Sequence, residues 1–248
     1  MQVLECQRIG ASLSAAHGIC AVLSAAISMT ALPGRVSASQ TKPPKGAIIL
    51  FSGNPAELAA NWVYEGTNQA PEWKLVDGAI ESVKSSIVTK QTFRDFVLHV
   101  EFKVPYMPKA HGQERGNSGV GLQDRYEIQV LDSYGIADPG SGDCGGVYSQ
   151  AAPLVNACKK PLQWQTYDIV FRAPRYDIEG KKTEDARVTV WQNDILVQNN
   201  QDIKGPTGID DHKPQSEPGP IMLQYHHNSV QFRNVWILPV PPHGALHY

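Results

Sequence analysis

Residues 96–104 read Phe96-Val97-Leu98-His99-Val100-Glu101-Phe102-Lys103-Val104. Every second residue of this stretch is apolar, and the polar side chains of His99, Glu101 and Lys103 stand between them. Successive side chains of a β-strand point to opposite faces, so this period of two predicts a strand with one buried face. No long stretch of the chain keeps a helical period, which makes the protein predominantly β.

The same alternation recurs along the rest of the chain, separated by turn signals. It predicts strands at 126–131 and 167–172, a hairpin at 188–197 turning at Gln192-Asn193-Asp194, and a hairpin from 221 to 240 turning at His227-Asn228-Ser229. One short helix is expected at 54–61. Many short strands are typical of a sandwich, so the predicted fold class is an all-β jelly-roll sandwich of two antiparallel sheets.

The first 40 residues differ from the remainder. The segment from Ile19 to Leu32 carries no charge, and Val36-Ser37-Ala38 has the small-x-small pattern that a signal peptidase accepts. We expect a signal peptide at 1–38, a Pro-rich linker at 39–46, one domain at 47–240 and a tail at 241–248. A disordered start, a misassigned start codon or a lipoprotein signal at Cys20 are the alternatives.

A cleaved signal implies export to the periplasm or the extracellular space. The apolar run is too short to span a membrane, and no other run approaches the required length of roughly 18 residues. The formal net charge of −2 gives no electrostatic footprint for nucleic acid or an anionic membrane. The oligomeric state is left open.

Two cysteines, Cys144 and Cys158, remain after removal of the signal. An even pair in an exported chain predicts a disulfide, which would close a loop of about 15 residues and add roughly 3 kcal/mol in the chain-entropy model. Two free thiols or a metal-binding pair are the alternatives.

Three segments are long and rich in Gly and Pro, namely 105–116, 133–163 and 199–219. Loops of this length within a compact domain are usually functional or disordered. In a sandwich the loops gather at the ends and around one open face, where a ligand would meet them.

The alternation also sorts the polar side chains. Glu127 and Gln129 share one face of their strand, and Gln224 and His226 share one face of theirs. With Arg233, these residues could line a single concave face, although a solvated outer face is the alternative. Glu127 and Asp132 invite comparison with laminarinase-type glycosidases, but a separation of five places them on opposite faces unless a bulge intervenes.

Several segments, taken in order, resemble a known family. They are Leu50-Phe51-Ser52-Gly53, Trp73-Lys74-Leu75-Val76-Asp77-Gly78, Asn117-Ser118-Gly119-Val120, Tyr126 to Ser133, Gly146-Val147-Tyr148, Trp164 to Ile169, Gly219 to His226 and Phe232-Arg233-Asn234-Val235. Together they resemble the 3-keto-disaccharide hydrolase family, and the match covers nearly all of 47–240. The resemblance implies a concanavalin/laminin-G-like jelly roll and a carbohydrate substrate.

The resemblance also implies enzymes that act on glycosides already oxidised to a ketone at C3. Such a ketone acidifies the C2 hydrogen, so a base, an electrophile for the enolate and an acid for the leaving oxygen suffice for elimination, after which water adds. We expect His226 or Glu127 as the base and Arg233 as the enolate-stabilising cation. The expected substrate-binding residues are Asn117, Gln129, Asp132, Tyr148 and Gln224.

Alternatives to this function remain open. A divalent metal ion held by Asp132, Glu127 or His226 could serve as the electrophile. A non-catalytic carbohydrate-binding module on the same fold, or an ordinary laminarinase-like glycosidase, are the other functional hypotheses.

Overall fold

The computed structural model describes residues 42–209 and 214–241. The predicted signal peptide, the first residues of the linker and nearly all of the predicted tail lie outside the described residues, so those predictions stand untested. Within the described part of the chain, no helix is both long enough and apolar enough to cross a membrane.

The described residues form two large antiparallel sheets and a small hairpin. In chain order the strands are β1 (Ile48–Phe51), β2 (Trp62–Tyr64), β3 (Lys74–Val76), β4 (Ala79–Glu81), β5 (Ile87–Thr89), β6 (Phe96–Lys103), β7 (Ser118–Leu122), β8 (Tyr126–Val130), β9 (Gln165–Arg172), β10 (Arg175–Tyr176), β11 (Lys182–Glu184), β12 (Ala186–Gln192), β13 (Ile195–Ile203), β14 (Met222–Leu223) and β15 (Gln231–Pro239).

The larger sheet has eight strands in the order β13-β12-β9-β6-β15-β4-β3, with β1 paired to β15. The smaller sheet has five strands in the order β2-β5-β14-β7-β8. Strands β10 and β11 pair only with each other. The all-β jelly-roll sandwich predicted from the alternation is therefore confirmed.

The strand at the centre of the larger sheet, β6, shows how the two layers pack. Its alternate residues point into the core, where Phe96 stacks on Phe171 at 5.1 Å and Phe102 lies 4.7 Å from Tyr167 between ring centroids. The opposite face is also buried, because Trp236 stacks over His99 with ring centroids 5.2 Å apart. The predicted strand is thus correct, but its polar face is not solvated.

The predicted short helix and one predicted hairpin are confirmed. Helix α1 spans Pro55–Asn61, and the Asn54 side chain caps it by accepting a hydrogen bond from the Ala56 amide at 3.1 Å. Strands β12 and β13 pair across a turn at Asn193 and Asp194, both of which have positive φ angles of 53° and 67°.

The second predicted hairpin is wrong. Strand β14 lies in the smaller sheet between β5 and β7, whereas β15 lies in the larger sheet between β6 and β4. The turn at His227 to Ser229 therefore carries the chain from one sheet to the other. Alternation reports the face of a residue within a strand, but it does not report which sheet the strand joins.

The predicted disulfide is not formed, since Cys144 and Cys158 are both free thiols. Each sulfur has polar partners instead. The Gln192 amide donates to the Cys144 sulfur at 3.4 Å and to the Cys158 sulfur at 3.3 Å, and the Tyr167 hydroxyl lies 3.1 Å from the Cys144 sulfur. The 133–163 loop is held by these side-chain contacts rather than by a covalent bridge.

A buried ion network joins the three central strands of the larger sheet. The His99 Nδ1 atom lies 2.7 Å from the Asp168 carboxylate, and its Nε2 atom faces Glu101 at 3.8 Å. Burial opposes the charged imidazolium, but hydrogen bonds to Asp168 and Glu101 outweigh it and raise the pKa of His99 to about 9. The same network, with Arg233, lowers the pKa of Glu101 to about 2.

This network predicts a specific loss of stability in alkali. The folded state binds the His99 proton more tightly than the unfolded state, so its stabilisation is complete below pH 6.5 and is lost as the pH rises to about 9. The shift corresponds to about 3 kcal/mol at most. Denaturant unfolding of the wild type should show this decline, and the His99→Gln variant should not. If the free energy of unfolding changed equally with pH in both proteins between pH 6.5 and pH 9, the stabilising role of the His99 proton would be contradicted.

Candidate functional site

A polar cleft of about 190 Å³ lies on the face of the smaller sheet that points away from the core. Strand β8 supplies Glu127 and Gln129, whose neighbours Tyr126, Ile128 and Val130 are buried in the core. The lining residues are Gln113, Asn117, Glu127, Gln129, Tyr148, Gly208, Ile209, Gln224 and His226. Six of the predicted site residues are therefore brought together.

One glycine of β7, Gly119, makes room for the carboxylate. Gly121 pairs with Glu127 and Gly119 with Gln129 across the β7–β8 ladder. A Cβ atom on Gly119 would stand 2.1 Å from the Glu127 Oε1 atom, so the acid side chain lies across the strand where only glycine leaves space. Gly119 thus has a steric function in the cleft.

Glu127 is the one acid among the described residues that line the cleft. Glu127 is only 4% exposed, and burial raises the pKa of its carboxyl group to about 7. Among the described residues that line the cleft there is no Lys, Arg or second carboxylate to offset this burial. The carboxyl group is therefore poised to exchange a proton near neutral pH.

The main chain of Glu127 is fixed by two loops. Its amide donates to the Thr207 hydroxyl at 2.7 Å, and its carbonyl accepts from the Tyr148 amide at 3.1 Å. The segment around Val147 also bridges to Ile128, which covers the open edge of β8. The acid is therefore held on a strand that is paired on both sides.

Amides fill the wall beside the acid. The Gln129 Nε2 atom donates to the Gln113 Oε1 atom at 2.9 Å, and its Oε1 atom accepts from the Val130 amide at 3.1 Å. The Asn117 side chain donates to the Gln113 carbonyl at 2.7 Å, and Gln113 in turn donates to the Gly142 carbonyl at 2.7 Å. These bonds fix the wall as one network.

Gln224 and His226 form the opposite side. The Gln224 main chain is held at both ends, because its amide donates to the Gly119 carbonyl at 3.0 Å and its carbonyl accepts from the Ser118 hydroxyl at 2.6 Å. Its side-chain oxygen is buried without a hydrogen-bond partner among the described residues. His226 is exposed at the rim. The orphaned oxygen is an acceptor that a ligand hydroxyl could satisfy.

The three long loops gather around this face, as predicted. The first contributes Gln113 through the short 3₁₀ helix Gly112–Glu114, the second contributes Tyr148, and the third contributes Gly208 and Ile209. Sequence reasoning missed Gln113, Gly208 and Ile209 as individual residues. The sequence signal for these residues was the Gly- and Pro-rich composition of their loops. That composition predicts where a loop lies but not which of its side chains faces the cleft.

Arg233 does not reach the cleft. It lies on β15 in the larger sheet, where its Nε atom donates to Glu101 at 2.6 Å and its guanidinium lies 4.0 Å above the Trp164 ring centroid. The expected enolate-stabilising role is therefore wrong. The cause is the same as for the mispredicted hairpin, since β14 and β15 belong to different sheets.

Asp132 is also outside the cleft. Its carboxylate lies 3.3 Å from the Arg115 Nε atom and lines a separate depression. The suggested metal ligands Glu127, His226 and Asp132 are thus divided between two sites, and no group of three potential ligands occurs among the described residues. The laminarinase-type pairing of Glu127 with Asp132 is not formed either.

The class of protein is shown by comparison with known proteins rather than by the cleft geometry alone, and it is carbohydrate-active. The family described as a 3-keto-alpha-glucoside-1,2-lyase-like domain matches residues 46–238. The chain belongs to this family. No curated protein matches the chain at a significant level.

Solved structures agree with this assignment. A candidate glycosyl hydrolase from Parabacteroides distasonis ATCC 8503 shares 38% identity, with a TM-score of 0.71 over 79% of this chain and 85% of that chain. A second from the same organism has 24% identity and a TM-score of 0.53, covering 78% of this chain and 99% of that chain, and it supports the fold alone.

The burial of Glu127 predicts that the site destabilises the protein. Its pKa is about 7 in the fold and near 4.5 when unfolded, so stability falls as the pH rises between these values, by about 3 kcal/mol at most. Glu127→Gln should therefore unfold at a higher denaturant concentration than wild type at pH 8 and at the same concentration at pH 4.

The exposed Glu179 provides the control, because Glu179→Gln should leave the transition unchanged at both pH values. A Glu127→Gln variant that is less stable than wild type at pH 8 would show that the carboxylate is satisfied in the fold.

Proposed function

We propose that the protein cleaves the glycosidic bond of 3-keto-glycosides by elimination followed by hydration, with Glu127 as the base. The observation that carries this proposal is a single buried carboxyl group with a pKa of about 7, set in an amide-lined cleft. A general base works best when its pKa is near the operating pH. Membership of the 3-keto-alpha-glucoside-1,2-lyase-like family supports the choice of substrate.

The proposed reaction needs one acid–base group on the C2 side. The Glu127 carboxylate takes the C2 proton, and the electron pair of that C–H bond forms the enolate of the C3 ketone. Collapse of the enolate forms the C1–C2 double bond and breaks the bond from C1 to the leaving oxygen. Water then adds its oxygen to C1 and gives one proton to His226, which replaces the proton that His226 donates to the leaving oxygen. Protonated Glu127 returns its proton to C2, so the net reaction is hydrolysis and both side chains are restored.

The other cleft residues complete this scheme. His226 at the rim is the group we assign to protonate the leaving oxygen, because its ring nitrogens can carry and transfer a proton. We assign Gln224 to sugar binding, because its side-chain oxygen has no hydrogen-bond partner among the described residues and can accept one from a sugar hydroxyl. The fixed amides of Gln129 and Gln113 shape the wall against which the sugar lies.

A paired-carboxylate glycosidase fits less well. Retaining and inverting enzymes place two carboxyl groups on either side of C1. Here the cleft holds one acid among its described lining residues, and Asp132 is ion-paired to Arg115 elsewhere. Elimination from a 3-keto-glycoside requires only one carboxyl group.

The decisive experiment compares a 3-keto-disaccharide with its unoxidised parent. Wild type should cleave only the 3-keto-disaccharide, and the rate should show a primary isotope effect when C2 carries deuterium. Glu127→Gln should lose about 100-fold or more of the rate, because the amide cannot accept the proton. Glu179→Gln, on the exposed turn, should retain full activity.

The pH dependence provides an independent check on the same assignment. The base must be ionised, so kcat/KM should rise with pH and level off above about 7. An acid limb near 4.5, or a Glu127→Gln variant with normal turnover, would contradict Glu127 as the base. Equal cleavage of the unoxidised sugar would contradict the proposed substrate.

A glycine substitution tests the geometry rather than the chemistry. Gly119→Ala puts a methyl group where the Glu127 carboxyl group lies, so the acid must turn away and the rate should fall about 100-fold. Gly205→Ala is the matched control, because its Cβ would meet nothing within 4 Å. Circular dichroism should show both variants folded, and normal turnover by folded Gly119→Ala would contradict the position assigned to the acid.

A further inference from the structure

A second depression, of about 340 Å³, includes a residue from the chain segment that lines the cleft. It is lined by Tyr106, Arg115, Asp132, Tyr134, Lys160 and Pro161. Gln113 and Asn117 line the cleft, and Arg115, which lines the depression, lies two residues from each of them in the chain. Two residues of chain span at most about 7 Å, so a ligand longer than one sugar ring could occupy both sites.

The charges of the depression do not balance. Arg115 and Asp132 neutralise each other, because the Arg115 Nε and Nη2 atoms donate to the Asp132 carbonyl at 2.9 and 2.6 Å and the carboxylate lies 3.3 Å from Nε. Lys160 is exposed and forms no ion pair with any residue in the described ranges 42–209 and 214–241. One positive charge is therefore left over at this site.

Two aromatic rings accompany this charge. Tyr106 is 63% exposed and Tyr134 is 45% exposed, so both rings are open to a ligand. The Lys160 Nζ atom lies 5.8 Å from the Tyr134 ring centroid, so the ammonium group stands beside the ring face. The aromatic ring can contact the apolar face of a sugar. The neighbouring ammonium group can pair with a carboxylate at the edge of that sugar.

We infer that this depression is a second sugar subsite that takes a carboxylate-bearing sugar, such as a uronate, attached to the sugar that binds in the cleft. The inference rests on the proposed function only for the presence of a sugar in the cleft. Tyr134 and Tyr106 supply the surface for the ring, and Lys160 supplies the charge that selects an acidic sugar.

Binding of unoxidised ligands tests the inference without any turnover. Titration of the full chain with methyl β-glucuronide and methyl β-glucoside, followed by NMR, should give about two- to fivefold tighter binding of the glucuronide at low salt. Lys160→Ala should abolish that preference. Lys159→Ala is the matched control, because its ammonium group donates to the Trp164 carbonyl and does not line the depression.

Tyr134→Ala should weaken both ligands, since the ring surface does not depend on charge. Equal affinity for the two methyl glycosides, an unchanged preference in Lys160→Ala, or no binding of either would overturn the inference. Its failure is distinguishable from that of the proposed function, which is measured by cleavage of a neutral 3-keto-disaccharide.

Discussion

A carboxyl group buried without a counter-charge is the constraint on which the site depends. Glu127 could relieve its burial by turning toward solvent, but β8 is paired with β7 on one side and covered by the Val147 segment on the other. The space above Gly119 accepts the carboxyl group only because that position lacks a Cβ atom. Ladder pairing, loop docking and a glycine therefore combine to keep an unfavourable group in place, as is common at functional sites.

The two sheets carry the same kinds of ionisable side chain with opposite outcomes. On the larger sheet, His99 stands between Asp168 and Glu101, and Arg233 completes a neutral network in which each charge has a partner. There the pKa of the acid falls to about 2, so Glu101 stays ionised and structural. On the smaller sheet, Glu127 has burial without a partner, and its pKa rises. Environment, not residue type, separates the scaffold from the reactive group.

This contrast explains what the sequence could and could not predict. Alternation placed Glu127 and Gln129 on one face, and the family resemblance added Asn117 and Tyr148, because both depend on short-range order along the chain. Arg233 was misplaced because only three residues, His227 to Ser229, separate the predicted strands, a spacing that also fits a hairpin. Sheet membership is decided by long-range pairing. Gln113 was missed because its contact with Gln129 depends on how a long loop folds back.

The amide at position 129 shows how the loops and the acid depend on one another. The Gln129 Nε2 atom donates to two oxygens, those of the Gln113 side chain and the Gly142 carbonyl, at 2.9 and 3.3 Å. A carboxylate in its place would set negative charge against both oxygens and would release the loops that carry them. It would also stand close to Glu127, where a like charge disfavours ionisation of both acids. An amide therefore keeps the wall closed and leaves Glu127 as the one acid of the cleft among the described residues, and one acid is what elimination requires.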